Sequence, residues 1–396
     1  MAAMPEFSTD RFAGKLGLFY AAYFFFGGVQ LPFFPLWLEA RGLDARTIGL
    51  VIAVPMVVRI VATPVITHQA DRHRALKATI MIASVAATLG MTLLGFVSGA
   101  VAILLSFIVS AVAFSPVLSL TDAYAVSGLR VRDRAYGPVR LWGSVAFIAG
   151  NVGAGLLLEL IAPGHLIWLI VASLGVSVVA AVALVPLDPG GVAAATNEPR
   201  PSPRTLFREP VFVAVALASA LIQSSHAMYY GFSTLQWRAA GLDGTVIGAL
   251  WGLGVAAEVA LFACSARLPK RLSPTLLMVI GGSGAILRWA AMALDPPLAA
   301  LPALQMLHAC SFGATHLGLM GFMARGVPRE LAATAQGFVA TGSGLVNASA
   351  TFASGMVFAA AGSRAYLLMA ATALFGVISA LYAGSRFRDE PSDDTP

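Results

Sequence analysis

Long apolar stretches without a single charge set the terms for this chain, among them Ala100–Leu120 and Leu166–Val185. About 20 apolar residues in a helix are enough to cross the hydrocarbon of a bilayer. Lipid offers no partner to an unpaired backbone N–H or C=O, so a crossing segment must satisfy its own, as a helix does. A barrel would show alternating strands of about 10 residues instead. The apolar runs here do not alternate. Charged residues make up 11% of the chain, against about 25% in a soluble domain. Too few charges remain to cover a water-facing surface, so the chain is expected to be an all-α, multi-pass membrane protein.

Spans are expected near 12–40, 46–69, 76–98, 100–128, 139–162 and 165–187, then near 210–237, 245–267, 274–294, 298–325, 331–361 and 365–385. Between the two sets lies a Pro-, Gly- and polar-rich stretch. It divides the chain into a six-helix bundle (1–187), a linker (188–209) and a second bundle (210–396). The charges test this count. Connectors on one side carry Arg72, Lys77, Arg130, Arg132, Arg134, Arg208, Arg267 and Arg325, among others, whereas the other side holds Arg41, Arg46, Arg238 and Arg364. Basic residues mark the cytoplasmic side, so both termini are expected there. The net charge of +6 is therefore a topology signal, and no nucleic-acid partner is implied. Cys264 and Cys310 sit in apolar runs and are expected as small hydrophobes. The first ten residues include Glu6, Ser8, Thr9 and Asp10 and the next apolar stretch is long enough to span, so no cleavable signal peptide is expected.

An internal repeat supports two related halves. Gly42-Leu43-Asp44-Ala45-Arg46-Thr47-Ile48-Gly49 aligns without gaps to Gly241-Leu242-Asp243-Gly244-Thr245-Val246-Ile247-Gly248, with five of eight positions identical at an offset of 199. Each segment precedes the second span of its half. Parallel repeats of six spans put a substrate site near the midplane. The same offset pairs Arg59 with Glu258, opposite charges inside the membrane.

Ionisable groups in hydrocarbon are costly and mark a cavity, a partner or an ion path. They are few here: Arg59, Asp122, Arg140, Glu258 and Arg288, with His226, His308 and His316. Helical spacing groups them with other polar residues. Ser115, Ser119 and Asp122 share one face, as do Gln223, His226 and Tyr230, and His308, Ser311 and Thr315. Trp251 and Glu258, seven apart, share a face in the eighth span. Four polar stripes on four helices suit a shared aqueous cavity. Plainer readings stand beside this one: Arg140, near a cytoplasmic end, also suits a snorkelling side chain, the histidines also suit helix–helix hydrogen bonds, and Glu258 and Asp122 also suit structural salt bridges. No phosphate-binding loop, metal-spaced cluster or nucleophile elbow is present in the sequence, so neither a cofactor nor an enzymatic role is expected.

Several stretches resemble the major facilitator superfamily, and within it the phenylpropionate-permease branch near the lactose permeases. They are Phe19–Gly49 (FYAAYFFFGGVQLPFFPLWLEARGLDARTIG), Phe114–Ala125 (FSPVLSLTDAYA) and Tyr136–Phe147 (YGPVRLWGSVAF). His226–Phe262 (HAMYYGF…LWGLGVAAEVALF), Leu287–Met292 (LRWAAM) and Leu304–Met320 (LQMLHACSFGATHLGLM) follow. The resemblance implies twelve transmembrane helices in two pseudo-symmetric bundles. It implies substrate binding at Asp122 and Arg140, and proton coupling through Glu258, Arg288 and His308. Two departures are plain. The glutamate three residues after the histidine is Ser311 here, and the tryptophan that stacks on a sugar is Phe147. The titratable candidates that remain are Glu258, His308 and His316. The branch implies an aromatic carboxylate as substrate.

The expectation is thus a secondary transporter in a bacterial inner membrane. It takes a small aromatic acid with protons by alternating access, and acts as a monomer with small-molecule substrate, protons and lipid as its partners. Arg59, His226, Tyr230, Phe147 and Trp251 join Asp122 and Arg140 as candidate substrate residues. Alternatives are a sugar or nucleoside symporter, a proton-driven drug exporter, or a membrane sensor or enzyme, for which no soluble signalling domain or catalytic motif speaks.

Overall fold

A computed structural model describes residues 11–73, 75–187, 204–267, 269 and 272–387. All regular structure among them is helical. The first set comprises α1 (Arg11–Ala40), α2 (Ala45–Arg72), α3 (Leu76–Phe96), α4 (Ala100–Val131), α5 (Tyr136–Leu157) and α6 (Leu166–Ala183). The second comprises α7 (Pro210–Ala239), α8 (Gly244–Cys264) and α9 (Pro274–Met292). It continues with α10, built of Leu301–Met306, a π turn Ala309–Ala314 and Thr315–Gly326, and ends with α11 (Ala332–Ala361) and α12 (Tyr366–Arg386). Ten stretches of the described residues are long and apolar enough to cross a membrane. One of them, Thr334–Arg386, holds both α11 and α12, and α10 is absent because its π turn divides it. Both facts fit the twelve expected spans.

The repeat is legible as backbone geometry. Gly42 and Gly241 take φ of +83° and +87°, a region that costs an L residue a clash at Cβ. At each, two hydrogen bonds close the preceding helix. Gly42 N–H donates to Glu39 O (2.8 Å) and Leu43 N–H to Leu38 O (3.2 Å); Gly241 N–H donates to Arg238 O (3.0 Å) and Leu242 N–H to Trp237 O (2.9 Å). This pair is the Schellman ending, which needs a left-handed residue just past the helix. Asp44 Oδ1 then accepts from Thr47 N–H (2.9 Å), and Asp243 Oδ1 from Val246 N–H (2.7 Å), starting α2 and α8.

Two compact units form by packing: residues 1–196 with 231–252, and residues 197–230 with 253–396. Most of the expected linker, 188–203, lies outside the described residues. In the first unit α1 and α5 touch backbone to backbone. A Cβ on Gly28 would strike the Phe147 carbonyl, and one on Gly150 would lie 2.5 Å from Phe25 O. Small residues let membrane helices approach this closely. Around that contact Phe12, Leu16, Phe19, Tyr20, Leu120 and Tyr124 form a core. In the second unit Phe212, Val215, Met278, Phe322 and Ala380 form another, at one end of the helices.

Candidate substrate and proton sites

In the first unit, the centre is Tyr23 on α1. It stacks on Phe114 of α4 (centroids 4.7 Å apart, planes at 9°) and lies within charge–charge reach of Arg59, Asp122 and Arg140. Asp122 on α4 is partly buried. Its Oδ1 accepts from the hydroxyls of Tyr20 (2.5 Å) and Tyr136 (2.9 Å). Arg140 is one turn after Tyr136 on α5, yet it points elsewhere. Its guanidinium lies 3.9 Å from the centroid of the Phe24 ring and 5.5 Å from that of Tyr20. Among the described residues no carboxylate comes within the 4.0 Å of an ion pair with it. Asp122 and Arg140 form no ion pair with each other: two tyrosine hydroxyls satisfy the acid, and an aromatic face holds the cation. Phe147 packs against α1 at Gly27, 3.4 Å from where a Cβ would sit. Trp251 is buried in this unit. Arg59, on α2, is half-buried.

The second unit holds the other cluster. Arg288 on α9 is fully buried. Its Nη1 donates to His308 Nδ1 (3.1 Å) and, more weakly, toward Ser311 Oγ (3.5 Å), while its Nη2 donates to Gln305 Oε1 (2.6 Å). The guanidinium lies 4.6 Å from the ring centroids of both Tyr229 and Trp289. His308 Nε2 meets Glu258 Oε2 at 3.3 Å. The acid and the cation are thus joined through a histidine ring. A buried guanidinium needs such surroundings, because leaving water costs several kcal/mol by rough estimate.

His226 on α7 closes the cluster from another side. Its ring contacts Gln223 O (3.1 Å) and Ser311 Oγ (3.0 Å) and stacks on Tyr230 at 5.7 Å. The π turn places Ser311 here and leaves Phe312 between two histidines, 5.3 Å from His308 and 6.3 Å from His316, all three rings nearly parallel. His316 also faces Phe262 and is within charge–charge reach of Glu258.

So the structure brings together Glu258, Arg288, His308, His226, Tyr230 and His316 in one unit, and Arg59, Asp122 and Arg140 in the other. Tyr20, Tyr136 and Gln305 were not expected. Two of them carried a faint signal: Tyr136 precedes Arg140 by four residues, and Gln305 precedes His308 by three, so each of the two shares a helix face with a charged or titratable residue.

The MFS_1 like family model matches residues 14–369. The chain belongs to the major facilitator superfamily. This transporter is 32% identical over 363 residues to a protein of Escherichia coli (strain K12) named Probable 3-phenylpropionic acid transporter, covering 91% of this chain and 94% of that one. It is 27% identical over 338 residues to the maltose permease of Geobacillus stearothermophilus, with 83% of each covered. Its fold matches the crystal structure of the nucleoside transporter NupG with a TM-score of 0.77 at 16% identity, over 96% of this chain and all of the other. A bacterial homolog of the human lysosomal transporter Spinster, inward-facing and occupied, gives 0.73 at 16% identity, over 96% and 98%. The superfamily transporter is a multi-pass membrane protein that moves small molecules, and it is not an enzyme.

Proposed function

We propose that the transporter carries a small aromatic carboxylate, of the 3-phenylpropionate kind, into the cytoplasm together with protons. It works by alternating access, as a monomer in a bacterial inner membrane with both termini in the cytoplasm. The observation that carries the substrate class is Arg140. It is a partly buried guanidinium resting on an aromatic ring with no carboxylate beside it among the described residues. A substrate carboxylate would supply the missing counter-charge through a two-point, charge-assisted contact. The aromatic residues around it, Tyr23, Phe24 and Phe114, suit the substrate's ring. Arg59 is the second anchor, and Phe147 and Trp251 of the same unit complete the substrate's contacts. The name of the relative in Escherichia coli points the same way.

Glu258 is the proton carrier, with Arg288 and His308 adjusting its affinity and His316 on the proton's path. Kinship with a maltose permease favours a sugar as second reading, but a sugar has no charge to answer Arg140. The test is uptake of labelled 3-phenylpropionate into proteoliposomes, with and without an inward proton gradient, beside maltose and a nucleoside. Gradient-driven accumulation of the acid alone is the expected result; maltose uptake in its place would overturn the substrate class. Glu258→Gln is expected to stop accumulation and keep counterflow exchange. Intact accumulation in that variant would remove Glu258 from the coupling role.

A further inference from the structure

The direction of a hydrogen bond is fixed wherever one partner can only donate or only accept. Arg288 has N–H groups and no acceptor. Its Nη1 lies 3.1 Å from Nδ1 of His308, so that nitrogen must be bare. The hydrogen of the neutral ring then sits on Nε2, facing Glu258 Oε2 at 3.3 Å. His226 is fixed the opposite way. A backbone carbonyl only accepts, so Nδ1, 3.1 Å from Gln223 O, carries the hydrogen. Its Nε2 then accepts from the Ser311 hydroxyl at 3.0 Å. Both rings have both nitrogens in use, in opposite tautomers. The bare nitrogen of His308 is held by a group that can only donate, so a proton there costs the bond to Arg288.

Arg288 has a second anchor in Gln305, beside a hydrogen bond with the Tyr229 side chain. Gln305, fully buried and one turn before His308, accepts from Nη2 at 2.6 Å. With one Nη on Gln305 and the other on His308, the planar guanidinium has no rotation left between the faces of Tyr229 and Trp289.

We propose that Gln305 is the positioning residue of this site: by holding Arg288 it keeps His308 neutral and confines the coupling proton to Glu258. The inference rests on the proton-coupled reading above. A proton arriving at Glu258 forms an O–H on the carboxyl, and the His308 N–H goes on donating to a carboxyl oxygen. No bond of Arg288 changes. Protonating His308 instead sets N–H against N–H and forces Arg288 off Nδ1. The groups facing His308 are Arg288 from α9, Glu258 from α8, and His226 and Tyr229 from α7, at 5.4 and 6.5 Å between rings. On its own helix Phe312 stands between it and His316. Tyr230 and His316 are within charge–charge reach of Glu258.

The test is nitrogen NMR of the full chain in lipid nanodiscs, with histidine rings labelled in ¹⁵N and spectra taken from about pH 5 to 8. His308→Asn and His226→Asn assign the signals. The expected result is neutral rings throughout, with the hydrogen on Nε2 in His308 and on Nδ1 in His226. In Gln305→Leu the His308 signal is expected to shift to a mixed tautomer or a charged ring. Gln305→Glu, which retains an oxygen for Nη2, is expected to keep the original tautomer. A charged His308 in the unaltered protein, or an unmoved signal in Gln305→Leu, overturns the proposal. Uptake by the same preparations separates the two ideas. Fixed tautomers without gradient-driven uptake would end the coupling reading and leave Gln305 its positioning role. Gradient-driven uptake with a charged His308 would do the reverse.

Discussion

At the scale of single residues, charge in an apolar run was a sufficient guide to position but not to partner. Asp122, Arg140, Glu258 and Arg288 stand out in the sequence because each is expensive in lipid. Their partners do not stand out. Tyr20, Tyr136 and Gln305 sit in helices where an aromatic or an amide looks like ordinary packing, so opposite charges are the natural guess for a pair. The structure satisfies Asp122 with two hydroxyls instead. Hydrogen bonds to an ionised group are worth about 1.5–3 kcal/mol each, enough to hold an acid without a salt bridge. On the proposed reading this leaves Arg140 for the substrate. Lysine at that place would keep the charge and lose both the planar fork and much of the stacking on Phe24. Arg140→Lys is therefore expected to weaken substrate binding by about 10- to 100-fold, the equivalent of one charge-assisted hydrogen bond. Counterflow titration with 3-phenylpropionate measures it, and unchanged affinity would take Arg140 out of the binding site.

At the scale of elements, the repeat was readable because its residues do local work. Gly42 and Gly241 are glycines since the helix ending needs positive φ, and Asp44 and Asp243 are aspartates since the next helix needs its first amides capped. Gly42→Ala and Gly241→Ala are each expected to destabilise the fold by about 1–2 kcal/mol, the left-handed penalty, as a lower midpoint in thermal unfolding in detergent. The cap adds a pH signature. The Thr47 side chain, then its backbone amide, holds the Asp44 carboxyl below the usual aspartate range. A lowered folded-state value stabilises above the unfolded value, about 3.9, and that share is lost as the pH falls through the folded one. The midpoint difference between the unaltered protein and Asp44→Ala is thus expected to be constant at neutral pH and to vanish in acid; a difference that persists in acid would mean the carboxylate is not the source. The π turn of α10 had no such marker. ACSFGA holds no proline and looks like continuous helix. The same turn explains why an expected span fell short of an unbroken crossing helix.

At the scale of the molecule, apolar length, basic connectors and the repeat made the two-times-six architecture legible. How residues 231–252 pack was not, because backbone contact leaves no trace except small residues. On α8, Gly244, Gly248 and Gly252 recur every fourth residue and meet α5. A Cβ on Gly248 would strike the Asn151 carbonyl, and one on Gly244 would lie 2.5 Å from Gly155 O. Glu159 completes the contact, its Oε1 accepting from Gly244 N–H at 2.6 Å with Arg238 at 3.6 Å. These polar parts are weak. A half-exposed ion pair contributes about 0–1 kcal/mol, and an anion at a helix start about 0.3–1 kcal/mol. Glycine contacts add dispersion but no directional bond. On the proposed alternating-access reading, such a contact suits a surface that parts and re-forms. A reversible bond across it decides the matter. Gly252 would place a Cβ 3.6 Å from a methyl of Val152, which puts a Val152→Cys, Gly252→Cys pair near disulfide geometry. With Cys264 and Cys310 replaced by alanine, oxidation is expected to stop both net uptake and counterflow, and a reductant to restore them. Full transport by the cross-linked protein would mean that α5 and α8 stay together throughout and that access alternates by some other movement.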